Sequence, residues 1–361
     1  MSDLFQHSIQ VILEGQADSG AYIACPSMPD YAYCWFRDGT FIARAMDLAG
    51  QPESARRFHD WAAAVICERE AIVERALEKA ARGEPLSESD YLHTRYTLDG
   101  QEGEDEWPNF QLDGFGTWLW GMIEHLRQGG DTRFPPIWGQ AAELVARYLA
   151  GLWRWPNYDC WEEFGDRVHP HTLAALYAGL RSYASFTGRT QYARVAKQIR
   201  GHILQHGVRD GHFVKYIGTD AVDASLLGVA VPYGVVPPDD PRFQATLARI
   251  EADLRQEGGG LHRYARDTYY GGGEWLLLTA WLGWVYAEIG QSERAEELRA
   301  WVAAQATDSG DLPEQVPVHL NDPPYLEWWI ERRGPIATPL LWSHAMLLIL
   351  DVRLGAGRGP A

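Results

Sequence analysis

The stretch Asn157-Tyr158-Asp159-Cys160-Trp161-Glu162-Glu163-Phe164-Gly165 places three carboxylates and aromatic rings in one short connection. Pro156 before it and Pro170 after it read as helix boundaries, so the stretch is a loop between helices. A carboxyl packed against Trp and Tyr, with like charge beside it, holds its proton more tightly than one in water, which is what a general acid requires. Glu162 or Glu163 is placed to be that acid. The plain alternative is a solvated acidic pair ahead of a helix, where negative charge suits the helix dipole. A second acidic loop, Asp308-Ser309-Gly310-Asp311-Leu312-Pro313-Glu314-Gln315, lies far downstream, and only the fold can bring the two together. Two carboxylates facing one cleft are equipped to cleave a glycosidic bond: Glu162 protonates the leaving oxygen and Glu314 activates water.

Other residues fit a sugar cleft. Arg37 and Asp38 set a fork of donors beside an acceptor, suited to gripping adjacent hydroxyls, although a buried ion pair with a helix cap explains them too. Arg263 and Arg266, flanking Tyr264, offer a second clamp or a surface helix end. The histidines, including His169, His171 and His344, have no metal-ligand spacing and no nucleophile to activate. Cys25, Cys34, Cys67 and Cys160 lack C-x-x-C spacing, so neither metal nor redox cofactor is expected.

Composition narrows the partner. The chain of 361 residues carries a formal net charge of −17, which argues against nucleic acid and anionic membrane surfaces. Sixteen Trp and 17 Tyr are many for one chain, and flat amphipathic rings stack on the apolar faces of sugars as well as filling cores. A small carbohydrate is therefore the expected partner; nothing specifies an oligomeric state. The N-terminus shows no basic-then-apolar leader and no stretch approaches ~18 apolar residues, so the expected location is cytoplasmic.

The elements that must position these loops are helices. Apolar periodicity predicts helices over 4–14 and 38–49, with Asp38 as N-cap, then one long helix from Glu53 to Ala81. Further helices are expected at about 136–153, 172–186 and 190–206, and a strand-like segment at Phe213–Ile217. Others follow near Ala224–Val231, from Pro241, at Glu274–Ile289, at Ser292–Ala306 and at Pro339–Leu354. Loops with functional residues recur before alternate helices. In a closed ring of helical hairpins the inner helices run parallel, so those loops meet at one end. The predicted fold class is thus all-α, an (α/α)6 barrel, as a single catalytic domain over 1–361.

At these residues the chain resembles glycoside hydrolase family 15, the glucoamylase family, from Pro29 to Leu350. PDYAYCWFRDG resembles the family's sugar-gripping loop, which implies that Tyr31, Trp35, Arg37 and Asp38 line the subsite for the non-reducing end. WPNFQLDG implies Trp107 as a stacking or acid-supporting ring. YDCWEEFG is similar to the general-acid loop, giving Glu162 as acid, with Asp159, Trp161 and Glu163 holding substrate or tuning it. HRYARDTYYGGGEW implies Arg263 in the cleft, LPEQV implies Glu314 as base, and LLWSHA places Trp342 behind it. The family's amino-terminal β-sandwich and starch-binding module have no counterpart, and an aromatic insert, VPVHLNDPPYLEWWIERRG, follows the base loop. The resemblance implies an exo-acting, inverting α-glucoside hydrolase releasing β-glucose from short oligosaccharides, α-1,6-linked isomaltose types included. Alternatives are a glucoamylase acting on α-1,4-glucans, a trehalase of the same family, and a non-hydrolytic sugar-binding or isomerising barrel.

Overall fold

Helices form where apolar residues recur at three- and four-residue steps, and Pro52, Pro136, Pro170, Pro241 and Pro324 each open one at a position that needs no amide donor. The computed structural model describes residues 3–356; residues 1–2 and 357–361 of the expected 1–361 unit lie outside the described residues. The helices are α1 (Asp3–Glu14), α2 (Phe36–Leu48), α3 (Pro52–Cys67), α4 (Glu70–Arg82), α5 (Asp113–Gly129), α6 (Pro136–Leu152), α7 (Pro170–Thr187), α8 (Thr190–His206), α9 (Pro241–Leu254), α10 (Leu276–Glu288), α11 (Ser292–Ala304), α12 (Pro324–Arg333) and α13 (Leu341–Arg353). An inner ring runs α2, α5, α7, the 3-10 segment Ala224–Val229, α10 and α13, with α13 closing back on α2. Outside it pack α1, α3, α6, α8, α9 and α11. This is the (α/α)6 barrel that the alternation predicts.

Inner and outer helices differ as their surroundings require. Every residue of α10 from Leu276 to Tyr286 is buried, as suits a helix surrounded by protein on all sides. Outer α8 buries only Tyr192, Ala196, Ile199 and Ile203, a single stripe at helical spacing.

Three antiparallel pairs of two-residue strands pin the loops: β1 (Cys34–Trp35) with β2 (Arg95–Tyr96), β3 (Val208–Arg209) with β4 (His212–Phe213), and β5 (Glu274–Trp275) with β6 (Gln315–Val316). The first and third pairs stand at the starts of α2 and α10, so they fix where two inner helices begin.

The structure corrects four sequence expectations. The helix expected over Glu53–Ala81 is broken into α3 and α4, because the Arg69 guanidinium turns back to the carbonyls of Val65 and Gly100 and lies over the Tyr96 ring. The strand-like segment pairs only as far as Phe213. Asp38 is not the N-cap of α2: Trp35 occupies that position and Asp38 lies in the first turn. The aromatic insert, where the sequence reading places no helix, contains α12.

Helices α5 and α7 meet backbone to backbone. A Cβ at Gly116 would lie 2.7 Å from the Ala175 carbonyl carbon, and one at Gly179 would lie 2.5 Å from the Gly116 oxygen. Neither neighbour is a side chain that can move aside. Gly116→Ala should therefore destabilise the fold by about 1–3 kcal/mol. Gly201→Ala, on exposed α8 with nothing within 4 Å, should stabilise by up to about 1 kcal/mol. Thermal unfolding of the two variants checks this, and equal midpoints would sink it.

Candidate active site

The loops before the inner helices converge on one cavity of about 280 Å³. Of the residues picked out from sequence, Tyr31, Trp35, Arg37, Asp38, Trp107, Trp161, Glu162, Glu163, Arg263, Glu314 and Trp342 all line it. Asp159 is not among the lining residues and sits buried behind the Glu162 loop, so the expected substrate contact is replaced by a structural one. Arg266 is exposed and away from the lining, in line with a surface position.

Two of the lining residues, four positions apart, hold the two carboxylates. Trp35 Nε1 donates to Glu162 Oε1 at 2.7 Å, and Gln111 Nε2 donates to the same oxygen at 3.3 Å. Tyr31 OH donates to Glu314 Oε1 at 2.9 Å and accepts from Tyr269 OH at 2.8 Å. β1 anchors Trp35 through its pairing with Arg95, while β6 begins at Gln315, directly after Glu314, and pairs with Trp275.

Three buried cations each face two carboxylates. Arg37 reaches Asp113 Oδ2 at 3.2 Å and Asp38 Oδ1 at 3.5 Å. Arg263 grips Asp267 with two prongs, at 2.5 and 2.7 Å, and stands 3.7 Å from Glu163 Oε1. Lys215 bridges Asp159 Oδ2 at 3.2 Å and Asp223 Oδ2 at 2.5 Å. Glu162 and Glu314 have no such cation among the described residues. Burial pushes Glu314 up to about 8, against the lowering effect of the Tyr31 hydrogen bond and the Arg263 charge. Burial likewise lifts Asp38 to about 7 and raises Glu163, with the nearby arginine opposing in each case.

Polar atoms of the wall remain unsatisfied by protein. Trp107 Nε1, Trp275 Nε1, Glu314 Oε2, Trp329 Nε1 and Trp342 Nε1 lack hydrogen-bond partners, and all five residues line the cavity, while Arg37 Nε and Asp38 Oδ1 make no hydrogen bond beyond their 3.5 Å ion-pair contact with each other. Orphaned buried donors and acceptors cost free energy unless something fills them. A ring bearing hydroxyls supplies both kinds of partner.

The Glu162 loop is strained and braced. Glu162 has φ +69° and Phe164 φ +53°, left-handed values that cost non-glycine residues on the order of 1 kcal/mol or more. Asp159 Oδ1 accepts from the Trp161 and Glu163 amides at 3.0 and 2.9 Å, and the Asp159 carbonyl accepts from the Glu162 amide at 2.9 Å. Beneath it, Asp223 accepts from Trp161 Nε1. Sequence reasoning missed Lys215 and Asp223. The signal was a lysine inside the apolar run Phe213–Ile217, a residue that stays buried only when paired. Tyr269, Trp275, Trp329, Arg333 and Asp30 also line the cavity and were not singled out as site residues. Among the described residues no cluster of His, Cys, Asp and Glu could hold a metal ion, and no helix is long and apolar enough to cross a membrane.

A family profile described as "Glycosyl hydrolases family 15" matches residues 2–316. The chain is 42% identical to the isomaltose glucohydrolase of Kribbella flavida, across 98% of this chain and 93% of that one. It is 26% identical to trehalase 2 of Sulfolobus acidocaldarius, across 86% of this chain and 58% of that one. A solved wild-type glycosidase superposes with a TM-score of 0.94 at 42% identity, covering 98% of this chain and 96% of that one. The glucoamylase of Saccharomycopsis fibuligera, 15% identical with a TM-score of 0.74 over 98% and 95% of the two chains, shares the fold.

The Lys215 cluster generates a prediction. Lys215→Met leaves Asp159 and Asp223 buried without their cation, a loss worth about 3–5 kcal/mol. The variant should melt earlier and lose at least about tenfold in kcat as the Glu162 loop relaxes. The double variant Lys215→Met/Asp223→Asn should recover part of both. Melting curves and steady-state rates decide it; a single variant with wild-type kcat would show that the triad does not position the loop.

Proposed function

The chain belongs to glycoside hydrolase family 15 and is a glycoside hydrolase, and we propose that it is an exo-acting, inverting α-glucosidase. On this reading it releases β-glucose from the non-reducing end of short α-gluco-oligosaccharides, isomaltose among them. The non-hydrolytic alternative falls away with family membership. The observation that carries the reading is the pair of carboxylates in one cavity, each fixed by a neighbouring ring from a single stretch of chain. We read residues 1–361 as one catalytic domain, since the buried apolar side chains of the described residues form one cluster.

The hydrogen bonds support a division of roles between the two carboxylates. Both donors to Glu162 act on Oε1, which keeps that oxygen an acceptor and leaves Oε2 to carry the proton given to the leaving oxygen. Glu314 accepts from Tyr31 on Oε1, while Oε2 has no protein partner and is the oxygen to take a proton from water. Arg37 and Asp38 grip adjacent hydroxyls of the terminal glucose, and Trp35, Trp107, Trp161 and Trp342 supply the apolar walls on which its ring faces lie. Water attacks from the Glu314 side as the glycosidic oxygen departs with the Glu162 proton, so the anomeric centre inverts.

Support for isomaltose comes from the 42% identical Kribbella relative, whose name states that substrate. Glucose release from isomaltose, maltose, trehalose, kojibiose, nigerose and soluble starch should be fastest with isomaltose; faster release from starch than from every disaccharide would overturn the short-substrate reading. Proton NMR in the first minutes should show β-glucose ahead of α-glucose, and the reverse order would exclude inversion.

Removing either carboxylate has a distinct signature. Glu162→Gln and Glu314→Gln should each lower kcat by about 10²–10⁴. Because kcat/KM reports the free enzyme, its acidic limb should lie above the ordinary carboxylate range, set by deprotonation of Glu314. Stability follows with the same sign. A Glu314 pKa of about 8 in the fold, against about 4.3 in the unfolded chain, gives stabilisation that is full at low pH and is lost as pH rises towards 8. Glu314→Gln, neutral at every pH, should therefore raise the melting midpoint more at pH 8 than at pH 5. An equal shift at both, with an acidic limb near 4, would remove the buried-base assignment.

A further inference from the structure

Helix α12 is not part of the barrel. It lies in the connection between outer α11 and inner α13, and none of its residues is buried. A helix that buries no face gains little from the core, so specific contacts must hold it. Trp329 stands edge-on to Tyr269, with ring centroids 4.9 Å apart, and stacks on Tyr270 at 6.1 Å. Tyr270 OH donates to the Gly334 carbonyl at 2.9 Å, and the Asp322 amide donates to Gly271 O at 3.0 Å. At its last turn Arg333 pairs with Asp30, next to the Tyr31 that holds Glu314. These contacts turn one face of α12 towards the cavity, where Trp329 and Arg333 join the lining.

A burial gradient says which part of a substrate meets that face. Arg37 and Asp38 are 4% and 8% exposed and belong to the first turn of an inner helix, so the terminal glucose they grip sits deep. Trp329, Asp30 and Trp107 are half-buried and Arg333 and Glu106 exposed, which places them at the rim. The Glu106-Trp107-Pro108 stretch and α12 both line this rim, past which a sugar leaving from the deep site must go. The first is stiff, since the Arg95 guanidinium lies 3.6 Å from the Trp107 ring centroid. From α12 the Trp329 indole offers a ring face and an N–H without a protein partner, and Arg333, paired with Asp30, brings a guanidinium to the lining.

We propose that α12 is a platform for the leaving sugar, with Trp329 and Arg333 as its contact residues and the Arg333–Asp30 pair as the latch that holds it over the cavity. A pyranose with free hydroxyls and an apolar face is the ligand class that such a pair takes. Closure at the rim confines the leaving portion to one or two sugar units. The proposal rests on the α-glucosidase reading of the Glu162 and Glu314 site.

The test compares two substrates that share the deep site and differ in what leaves: isomaltose, whose leaving group is a sugar, and α-glucosyl fluoride, whose leaving group needs no platform. Trp329→Ala should lower the ratio of kcat/KM on isomaltose to that on the fluoride by about tenfold or more, chiefly through KM, with Trp329→Phe recovering much of it. Arg333→Ala should lower the same ratio and raise the relative rate on isomaltotetraose over isomaltose as the latch opens. Equal losses on both substrates would show that Trp329 merely supports Tyr269 and Glu314, and an unchanged ratio in both variants would also overturn the platform. A wild-type protein that cleaves the fluoride but no α-glucosyl disaccharide would instead overturn the function reading, and the platform with it. Melting curves of the variants exclude unfolding as the cause.

Discussion

Everything at this site depends on a stretch of chain only a few residues long holding two carboxylates that the sequence keeps far apart. Tyr31 fixes Glu314 and Trp35 fixes Glu162, and the residues that follow, Arg37 and Asp38, lie buried in the cavity wall. The spacing of the two carboxylates and the Arg37–Asp38 pair is thereby set by local geometry at the start of α2. The twelve ring elements are needed because the two glutamates arrive on loops from different sides of the barrel. Strand pairs β1–β2 and β5–β6 convert the barrel's overall shape into fixed positions for Trp35 and for the residue after Glu314. A preorganised site of this kind needs no rearrangement when charge develops on the substrate.

The electrostatic pattern follows from that arrangement. A chain with net charge −17 gathers carboxylates around one cavity, and Arg37, Lys215 and Arg263 are each shared by two of them. Three cations for six carboxylates would be a poor way to build a stable core, since breaking or unbalancing buried ion pairs is expensive. It is a good way to hold side chains at fixed angles while leaving Glu162 and Glu314 without a neutralising partner. A carboxylate that must give up or take a proton works best when no adjacent cation fixes its charge state.

The sequence made the architecture legible because (α/α)6 barrels write themselves as alternation, with a loop rich in aromatic and charged residues before every second helix. Of the site residues taken from those loops or implied by the family resemblance, all except Asp159 and Arg266 line the cavity. What escaped was anything depending on a partner distant in the chain. Lys215 looks like a stray charge in an apolar run until Asp159 and Asp223 are brought against it. Arg69 breaks the expected long helix through a carbonyl on a loop some thirty residues on, at Gly100, which periodicity cannot register. The insert after Glu314 read as irregular because its prolines and paired tryptophans hide a short helix whose reason lies in Tyr269 and Tyr270.

The left-handed backbone at Glu162 has a reason of its own. In an extended strand adjacent side chains point to opposite faces, and in a helix they diverge by about 100°; neither sends two consecutive glutamates into one cavity towards separate partners. With φ at +69°, Glu162 turns to Trp35 and Gln111 while Glu163 turns to Tyr264, whose hydroxyl donates at 2.6 Å, and towards Arg263. Glycine would adopt this conformation freely but carries no carboxyl, so the strain must be borne by a residue that needs its side chain. Asp159, accepting amide protons on either side of Glu162, compensates for it, and Lys215 in turn fixes Asp159. The chain of dependence therefore runs from a buried lysine outside the cavity lining, through the Asp159 carboxylate it pairs with, to the backbone amides that set the angle of the Glu162 carboxyl.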